Sequence, residues 1–402
     1  MKILIIHRDI GTGSVGKIVE DLYYGIKKSG NDCKIAYGYV NKSKIPEEDL
    51  ISVCNKYEHM FHIAYATMLD RAGFFGRKQT QKLIKLICEY DPDIIHIHGL
   101  YGYWIDIVTL YDYLSKKTKI KIINTLHSCW DFTGHCCYFT KANCSKWQKH
   151  CRHCPEKKSY PCSLIFDNSF NNYEVKKQLF CSMKNMLFVA PSQWIENCFR
   201  KSFLKQFDIK VINNGIDLMS FDAEKKDISK YKIDTRKIVI LGVASCWEDR
   251  KGLNDFLELS KIINEEYQIV LVGLNNHQIK KIPSNVIGIT RTENKNDLAA
   301  IYSCATIFFN PTYEDNYPTV NLEAIACHTP IVTYNTGGSP EILNDENWGI
   351  VIPNRDFAAL LDYAKKIYQK KIIPDFSNVY KLSNNVMTRK YIKLYESIST
   401  GD

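Results

Sequence analysis

The chain has 402 residues, 45% hydrophobic and 24% charged, with a formal net charge of +9. That length holds two or three domains at about 100–200 residues each, and that composition excludes wholesale disorder and a fibrous repeat. No apolar stretch approaches the roughly 20 residues needed to cross a bilayer. The start, MKILIIHRDIGTG, breaks its apolar run at His7-Arg8-Asp9, too early for a signal peptide. A cytoplasmic protein is expected.

Short apolar runs predict strands, in chain order, at 2–7, 33–37, 93–98, 120–126, 186–190 and 209–214, then at 237–244, 267–273, 285–289, 305–310 and 330–335. Nearly all are continuous rather than alternating, as in parallel strands covered on both faces. Amphipathic segments lie between them, for example 15–29, 254–266 and 319–327. The alternation predicts an α/β protein with two doubly wound sheets. Turn chemistry at Asn213-Asn214-Gly215 and the charged stretch 220–232 mark a joint. The expected domains are therefore 1–212 and 213–380, with a last amphipathic segment, 381–402, returning to the first.

Charge is uneven. Residues 1–210 hold 31 Lys and Arg against 20 Asp and Glu, and the remainder hold 22 against 24. A basic half suits nucleic acid, an anionic membrane or a phosphorylated substrate, and a solvated lysine-rich surface is the plainer reading.

Three turns carry candidate chemistry. The first strand runs into Gly11-Thr12-Gly13-Ser14-Val15-Gly16 and a helix, whose free N–H groups suit a phosphate, with Gly13 at the centre. The strand at 237–244 leads to Arg250-Lys251-Gly252, a planar fork beside a point charge, suited to a diphosphate. The strand at 305–310 leads to Glu314-Asp315-Asn316-Tyr317-Pro318-Thr319-Val320 and a helix bearing Glu323. Carboxylates suit the hydroxyls of a ribose, and the helix start offers donors to a phosphate.

Taken together, GTGSVG, PDIIHIHGLYGYW, LHSCWDFTGHC, APSQW, INNGID, RKG, EDNYPTVNLEAIACHTPIV and GGSPEIL resemble glycosyltransferase family four, over nearly the whole chain. The subgroup resembled makes capsule, exopolysaccharide and O-antigen chains and carries a Cys-rich insert. The resemblance implies the GT-B fold, two Rossmann-like domains facing a central cleft, acceptor bound by the first and nucleotide-sugar by the second. It implies a retaining hexosyl transfer onto a sugar hydroxyl of a growing, lipid-linked surface polysaccharide, without a catalytic metal. Arg250 and Lys251 then stabilise the leaving diphosphate, and Glu323 holds the donor ribose. Asn316 to Val320 and Gly13 complete the donor site. The family's E-x(7)-E pattern counts back from Glu323 to Asp315, so Asp315 and Glu314 compete for the first carboxylate role. His127 matches the histidine near the donor sugar, and His98 and Gly99 are assigned to the acceptor.

Seven of the 15 cysteines fall between Cys129 and Cys162. Cys151-x-x-Cys154 presents two thiols to one ion, and Cys144 with Cys136 (or Cys137) completes a structural zinc set, with His135, His150 and His153 as alternates. The insert is also basic, with six Lys or Arg and one Glu over 141–158. Peripheral contact with an anionic membrane is expected there, and Arg77 to Cys88 is a second candidate. Two other functions compete: a nucleotide-sugar epimerase, which needs no acceptor, and a zinc-stapled nucleic-acid-binding protein, which leaves Glu323 and Arg250 unexplained. With the glycosyltransferase reading, no nucleic-acid partner is expected.

Overall fold

The computed structural model describes residues 1–221, 228–343 and 347–400. Residues 222–227 of the charged stretch at the joint lie outside the described residues. The chain divides into two compact units, residues 1–213 with 387–402, and residues 214–386.

Unit 1 opens with β1 (Lys2–Ile10), α1 (Gly13–Lys28), β2 (Asp32–Asn41), β3 (Leu50–Ser52), α2 (Lys56–Leu69) and α3 (Arg77–Tyr90). It continues with β4 (Ile94–Ile97), α4 (Ile107–Leu114), β5 (Lys121–Thr125), α5 (Ser169–Cys181), β6 (Met186–Ala190), α6 (Gln193–Arg200) and β7 (Ile209–Val211). Among the described residues its sheet has seven parallel strands in the order β3-β2-β1-β4-β5-β6-β7. The period-2 pleat splits β1 between two cores. Ile3 and Ile5 face α1, whose Ile18, Val19, Leu22 and Ile26 recur at helical spacing. Leu4 and Ile6 face the opposite layer with Leu83, Ile87 and Leu110. α3 buries Thr80, Leu83 and Ile87 and leaves its lysines outside, so the inner face of Arg77 to Cys88 packs on the core.

Unit 2 runs β8 (Ile238–Val243), α7 (Leu253–Leu259), β9 (Tyr267–Val272), α8 (Asn276–Ile279), β10 (Val286–Ile289), α9 (Lys295–Cys304), β11 (Ile307–Asn310), α10 (Thr319–Ala326), β12 (Ile331–Tyr334), β13 (Gly349–Ile352) and α11 (Phe357–Tyr368). Its six strands lie in the order β10-β9-β8-β11-β12-β13, all parallel. Both sheets are Rossmann-like. In each, the first strand sits between its successor on one side and a later strand on the other, which opens a crevice at the carboxyl ends. No helix among the described residues is long and apolar enough to cross a membrane.

The last helix, α12 (Asn384–Thr400), belongs to unit 1 from Met387 onward. Its Met387, Tyr391, Leu394 and Tyr395 are buried in the α1 layer. A Cβ on Gly25 of α1 would lie 2.1 Å from Thr388, so glycine permits the close crossing. Tyr395→Ala empties a fully buried site. It should cost on the order of 3–5 kcal/mol, read as a lower urea midpoint for unit 1.

Candidate functional site

In unit 2 the crevice lies between β8 and β11, and the loops that follow these strands are laced together. Lys251 Nζ donates to Asp315 Oδ2 at 2.5 Å, with both side chains largely buried. The Arg250 guanidinium donates to the Glu314 carbonyl oxygen at 3.1 Å and to the Glu248 carboxylate at 2.9 Å. In return the Arg250 carbonyl accepts the Tyr313 N–H at 2.8 Å. Of the two competing carboxylates, Asp315 faces the lysine, while Glu314 gives Arg250 its main chain.

Two glycines make this approach sterically feasible. Gly252 has φ +76°, and a Cβ there would lie 2.3 Å from the Pro311 carbonyl oxygen. Gly337 has φ +59°, and a Cβ there would lie 1.9 Å from the Asp315 carbonyl oxygen. Both positions need the left-handed region and the missing side chain. The Asp315 carboxylate also accepts the Asn316 N–H at 3.0 Å. Pro318 then caps α10, and Thr319 and Val320 begin it.

Glu323 lies on the second turn of α10 and accepts the Tyr302 hydroxyl at 3.1 Å. Burial pushes its carboxyl up to about 7, against the opposing pull of Tyr302 and Lys295. Behind these groups a buried polar frame was not anticipated from sequence. Asn310 donates to Asn321 at 2.7 Å, Asn321 donates to the Ser339 carbonyl at 3.1 Å, and Thr333 and Ser339 share a hydrogen bond of 2.8 Å. A signal existed: Asn321 is a weak helix former set between the apolar Val320 and Leu322 of the TVNLEAIA helix.

In unit 1 the crevice between β1 and β4 holds a chain of imidazoles. His98 Nδ1 is 2.9 Å from His127 Nε2, and His98 Nε2 is 3.3 Å from His96 Nδ1. His96 Nε2 is 2.8 Å from Thr125 Oγ1, which is 3.1 Å from the Tyr391 hydroxyl. His7 Nδ1 donates to the His98 carbonyl at 2.5 Å. Burial holds His7, His96 and His127 down at about 3, and His98 well below the usual imidazole range, so all four are neutral at pH 7. His96 Nδ1 also lies 2.7 Å from the Tyr395 hydroxyl, and one consistent arrangement has His127, His98 and His96 each carrying the proton on Nδ1. That leaves the His127 Nδ1–H directed outside the chain of rings. His98 is fully buried, with its two ring nitrogens within hydrogen-bond distance of His127 and His96. Gly99, at φ +67°, turns the chain against the Tyr101 ring. Gly13 starts α1 at φ +64° with open space where a Cβ would be, and Thr12 gives the helix no side-chain cap.

Residues 18–219 match the family described as Glycosyltransferase Family 4, and residues 236–370 match Glycosyl transferases group 1. The chain belongs to glycosyltransferase family 4. It is similar to WcaC of Escherichia coli (strain K12), named for colanic acid biosynthesis glycosyl transfer: 22% identical over 422 residues, covering 99% of this chain and 100% of that protein. It is also similar to the capsular polysaccharide biosynthesis glycosyltransferase CapM of Staphylococcus aureus, 24% identical over 166 residues, 39% of this chain and 43% of that one. Among solved structures, sucrose-phosphate synthase from Thermosynechococcus elongatus superposes with a TM-score of 0.71 at 15% identity, covering 100% of both chains. Anabaena HepE in complex with UDP gives 0.69 at 14% identity, covering 99% of this chain and 100% of that one. The likeness in structure is one of fold, and the fold class is GT-B. The protein is a glycosyltransferase related to those of capsule and polysaccharide biosynthesis.

The transferase's Cys-rich insert, 129–162, lies between β5 and α5. Cys136 donates to Cys154, Cys151 takes the Gly134 N–H, and Cys144 packs at the edge of the same apolar layer. Two alternates are engaged elsewhere: His135 pairs with buried Asp70, and His150 with Glu174 at 2.9 Å. Among the described residues no three His, Cys, Asp or Glu side chains are grouped to hold an ion. Cys151 interacts electrostatically with Cys144 and Cys154, and Cys136 with Cys151 and Cys154, so the four thiols of the expected zinc set share one neighbourhood. Close by, Lys176 is buried, donates to the Trp130 carbonyl at 2.5 Å and lies 3.7 Å from the Trp130 ring centroid.

The neutral histidines set the pH dependence of stability. Their folded pKa values lie below the ordinary value near 6.5, so the unfolded chain binds the extra protons. Stability is complete above about pH 6.5 and is lost as pH falls below it. Urea midpoints for unit 1 should drop from pH 7 to 5, and a flat midpoint there would contradict neutral burial.

Proposed function

We propose that the protein is a retaining enzyme that moves a hexosyl group from a nucleotide-sugar to a sugar hydroxyl of a growing, lipid-linked surface polysaccharide. The observation that carries this reading is the pairing of Lys251 with Asp315, with Arg250 alongside, at the crevice of unit 2. This is where open α/β sheets bind nucleotides. Anabaena HepE, a similar fold, is described with UDP and with UDP-glucose. A Campylobacter jejuni relative is named for transfer to a diphospho-undecaprenol saccharide, which supports a lipid-linked acceptor.

Lys251 and Arg250 would oppose the charge that grows on the leaving diphosphate, an effect stronger in a dry site. The N–H groups from Asn316 to Val320 add the positive end of the α10 dipole. Ionised Glu323 accepts two ribose hydroxyls, and Asp315 takes the first carboxylate role. Gly13 at the start of α1 gives backbone room for the donor. In retention by internal return, the bond between the anomeric carbon and phosphate oxygen breaks and the acceptor oxygen bonds on the same face. The acceptor's proton passes to that phosphate oxygen, so no protein base is required. Neutral His127 would donate from Nδ1 to the sugar or its diphosphate, held by His98. Arg250, Lys251 and the start of α10 supply the positive charge, so no catalytic metal is invoked. Structural zinc would be held by Cys136, Cys144, Cys151 and Cys154 as thiolates, which requires the proton between Cys136 and Cys154 to leave, and metal analysis of the purified protein reads it directly.

A thermal-shift screen of nucleotide-sugars tests the reading, since a donor that binds the native state raises the melting temperature. Lys251→Ala should lower kcat by about 10²–10³ and also lower the melting temperature, because it leaves the buried Asp315 carboxylate without its cation, and wild-type turnover would remove Lys251 from the scheme. Glu323 has its own pH signature. Its folded pKa near 7 exceeds the ordinary 4.5, so the native state is destabilised as pH rises through that window. Donor affinity should strengthen over the same interval as the carboxylate ionises. Glu323→Gln should raise the melting temperature at pH 8, weaken donor binding and abolish that pH dependence.

A further inference from the structure

Asp255, in the first turn of α7, is a fully buried carboxylate. Its Oδ2 accepts the Tyr313 hydroxyl at 2.7 Å and the Tyr334 hydroxyl at 2.8 Å, and its Oδ1 accepts the Arg355 Nε–H at 2.9 Å. These partners come from three other segments. Tyr313 follows β11, Tyr334 ends β12 and Arg355 follows β13, while Asp255 lies on the segment that leaves β8. One carboxylate therefore joins the carboxyl ends of four neighbouring strands. Burying it costs desolvation, which a cation and two hydroxyls offset. Arg355 supplies the charge from the surface, with its side chain 55% exposed.

The tyrosines have different surroundings. Tyr334 is fully buried and packs edge-on against Phe309 and Tyr313, so its hydroxyl ties Asp255 to the sheet. Tyr313 stands in the loop that carries the candidate donor groups. Asp255 holds its hydroxyl end, and at its other end the Tyr313 N–H donates to the Arg250 carbonyl at 2.8 Å. Two rotatable bonds separate a tyrosine ring from its main chain, so a bond at the hydroxyl constrains the backbone behind it. The next two residues are Glu314, whose carbonyl takes the Arg250 guanidinium, and Asp315, whose carboxylate takes Lys251.

We propose that Asp255 is a positioning residue for the candidate donor site. Acting through the Tyr313 hydroxyl, it sets the spacing between the Arg250–Lys251 turn and Asp315. Tyr334 and Arg355 hold Asp255 in place, and Tyr313 passes that place on. The proposal rests on the reading of Arg250 and Lys251 as the clamp on the donor diphosphate, and it adds a residue that works on that clamp from beneath. Binding sites tolerate only small errors in the placement of their charged groups, which is why such supporting bonds matter.

The test uses the full-length protein and nucleoside diphosphates. UDP, GDP, ADP and TDP are screened by thermal shift, and the one that raises the melting temperature most is carried into calorimetry. Removing Asp255 strips three partners at once, so single hydroxyls are deleted instead. Tyr313→Phe should weaken diphosphate binding about tenfold. Tyr334→Phe deletes a bond to the same oxygen from a fully buried residue. It should lower the melting temperature at least as much, yet weaken binding by less than about threefold. A cycle with Lys251→Ala separates positioning from general weakening. In that background the loss caused by Tyr313→Phe should shrink to less than about threefold. Wild-type binding by Tyr313→Phe overturns the proposal. So do equal losses in the two tyrosine variants that track their melting temperatures, and so does a Tyr313→Phe loss that is undiminished without Lys251. If no diphosphate shifts the melting temperature, or Lys251→Ala binds as wild type does, the diphosphate reading itself fails and takes the proposal with it.

Discussion

A lysine and an aspartate in contact hold the two central loops of unit 2 together. Lys251 follows β8 and Asp315 follows β11, strands that pair as neighbours in the sheet. Burying such a pair costs desolvation, which good geometry and extra hydrogen bonds offset. Here the extra bonds are present. Asp315 takes the Asn316 N–H, and Arg250 and Tyr313 exchange bonds across the same gap. Gly252 and Gly337 are required because any side chain at either position would collide with the carbonyl that the other loop presents. The cations are thus held in place by the protein's own groups.

The two units supply different electrostatics. Unit 2 presents formal charge at its crevice, in Arg250, Lys251 and Asp315. Unit 1 presents a series of neutral rings, kept neutral by burial and by each other. A neutral imidazole whose acceptor nitrogen is filled from behind is a donor of defined direction. His98 stands between His127 and His96 in this series.

Much of this was readable from residue order. The continuous apolar runs located the strands, since parallel strands covered on both faces need apolar residues at every position. β3 and β13 were missed, because both are short edge strands of partly exposed residues. The helix expected over 254–266 stops at Leu259, where Ser260 turns its hydroxyl back to the Leu257 carbonyl. The candidate cations and carboxylates were named from their places after strands. Residue order leaves open whether Asp315 or Glu314 takes the first carboxylate role, because adjacent residues in a loop can exchange roles through one peptide rotation.

By itself the sequence determined the α/β class, the turns that bear charge and the glycines beside them, because these follow from local periodicity and backbone sterics. Only the tertiary structure decided the partners: Asp315 rather than Glu314 on Lys251, His98 between His96 and His127, and Cys136 against Cys154. Each of these depends on where a second segment, distant along the chain, happens to place one atom. Hydrogen bonds are short and directional, so residue spacing narrows the candidates, and packing alone selects among them.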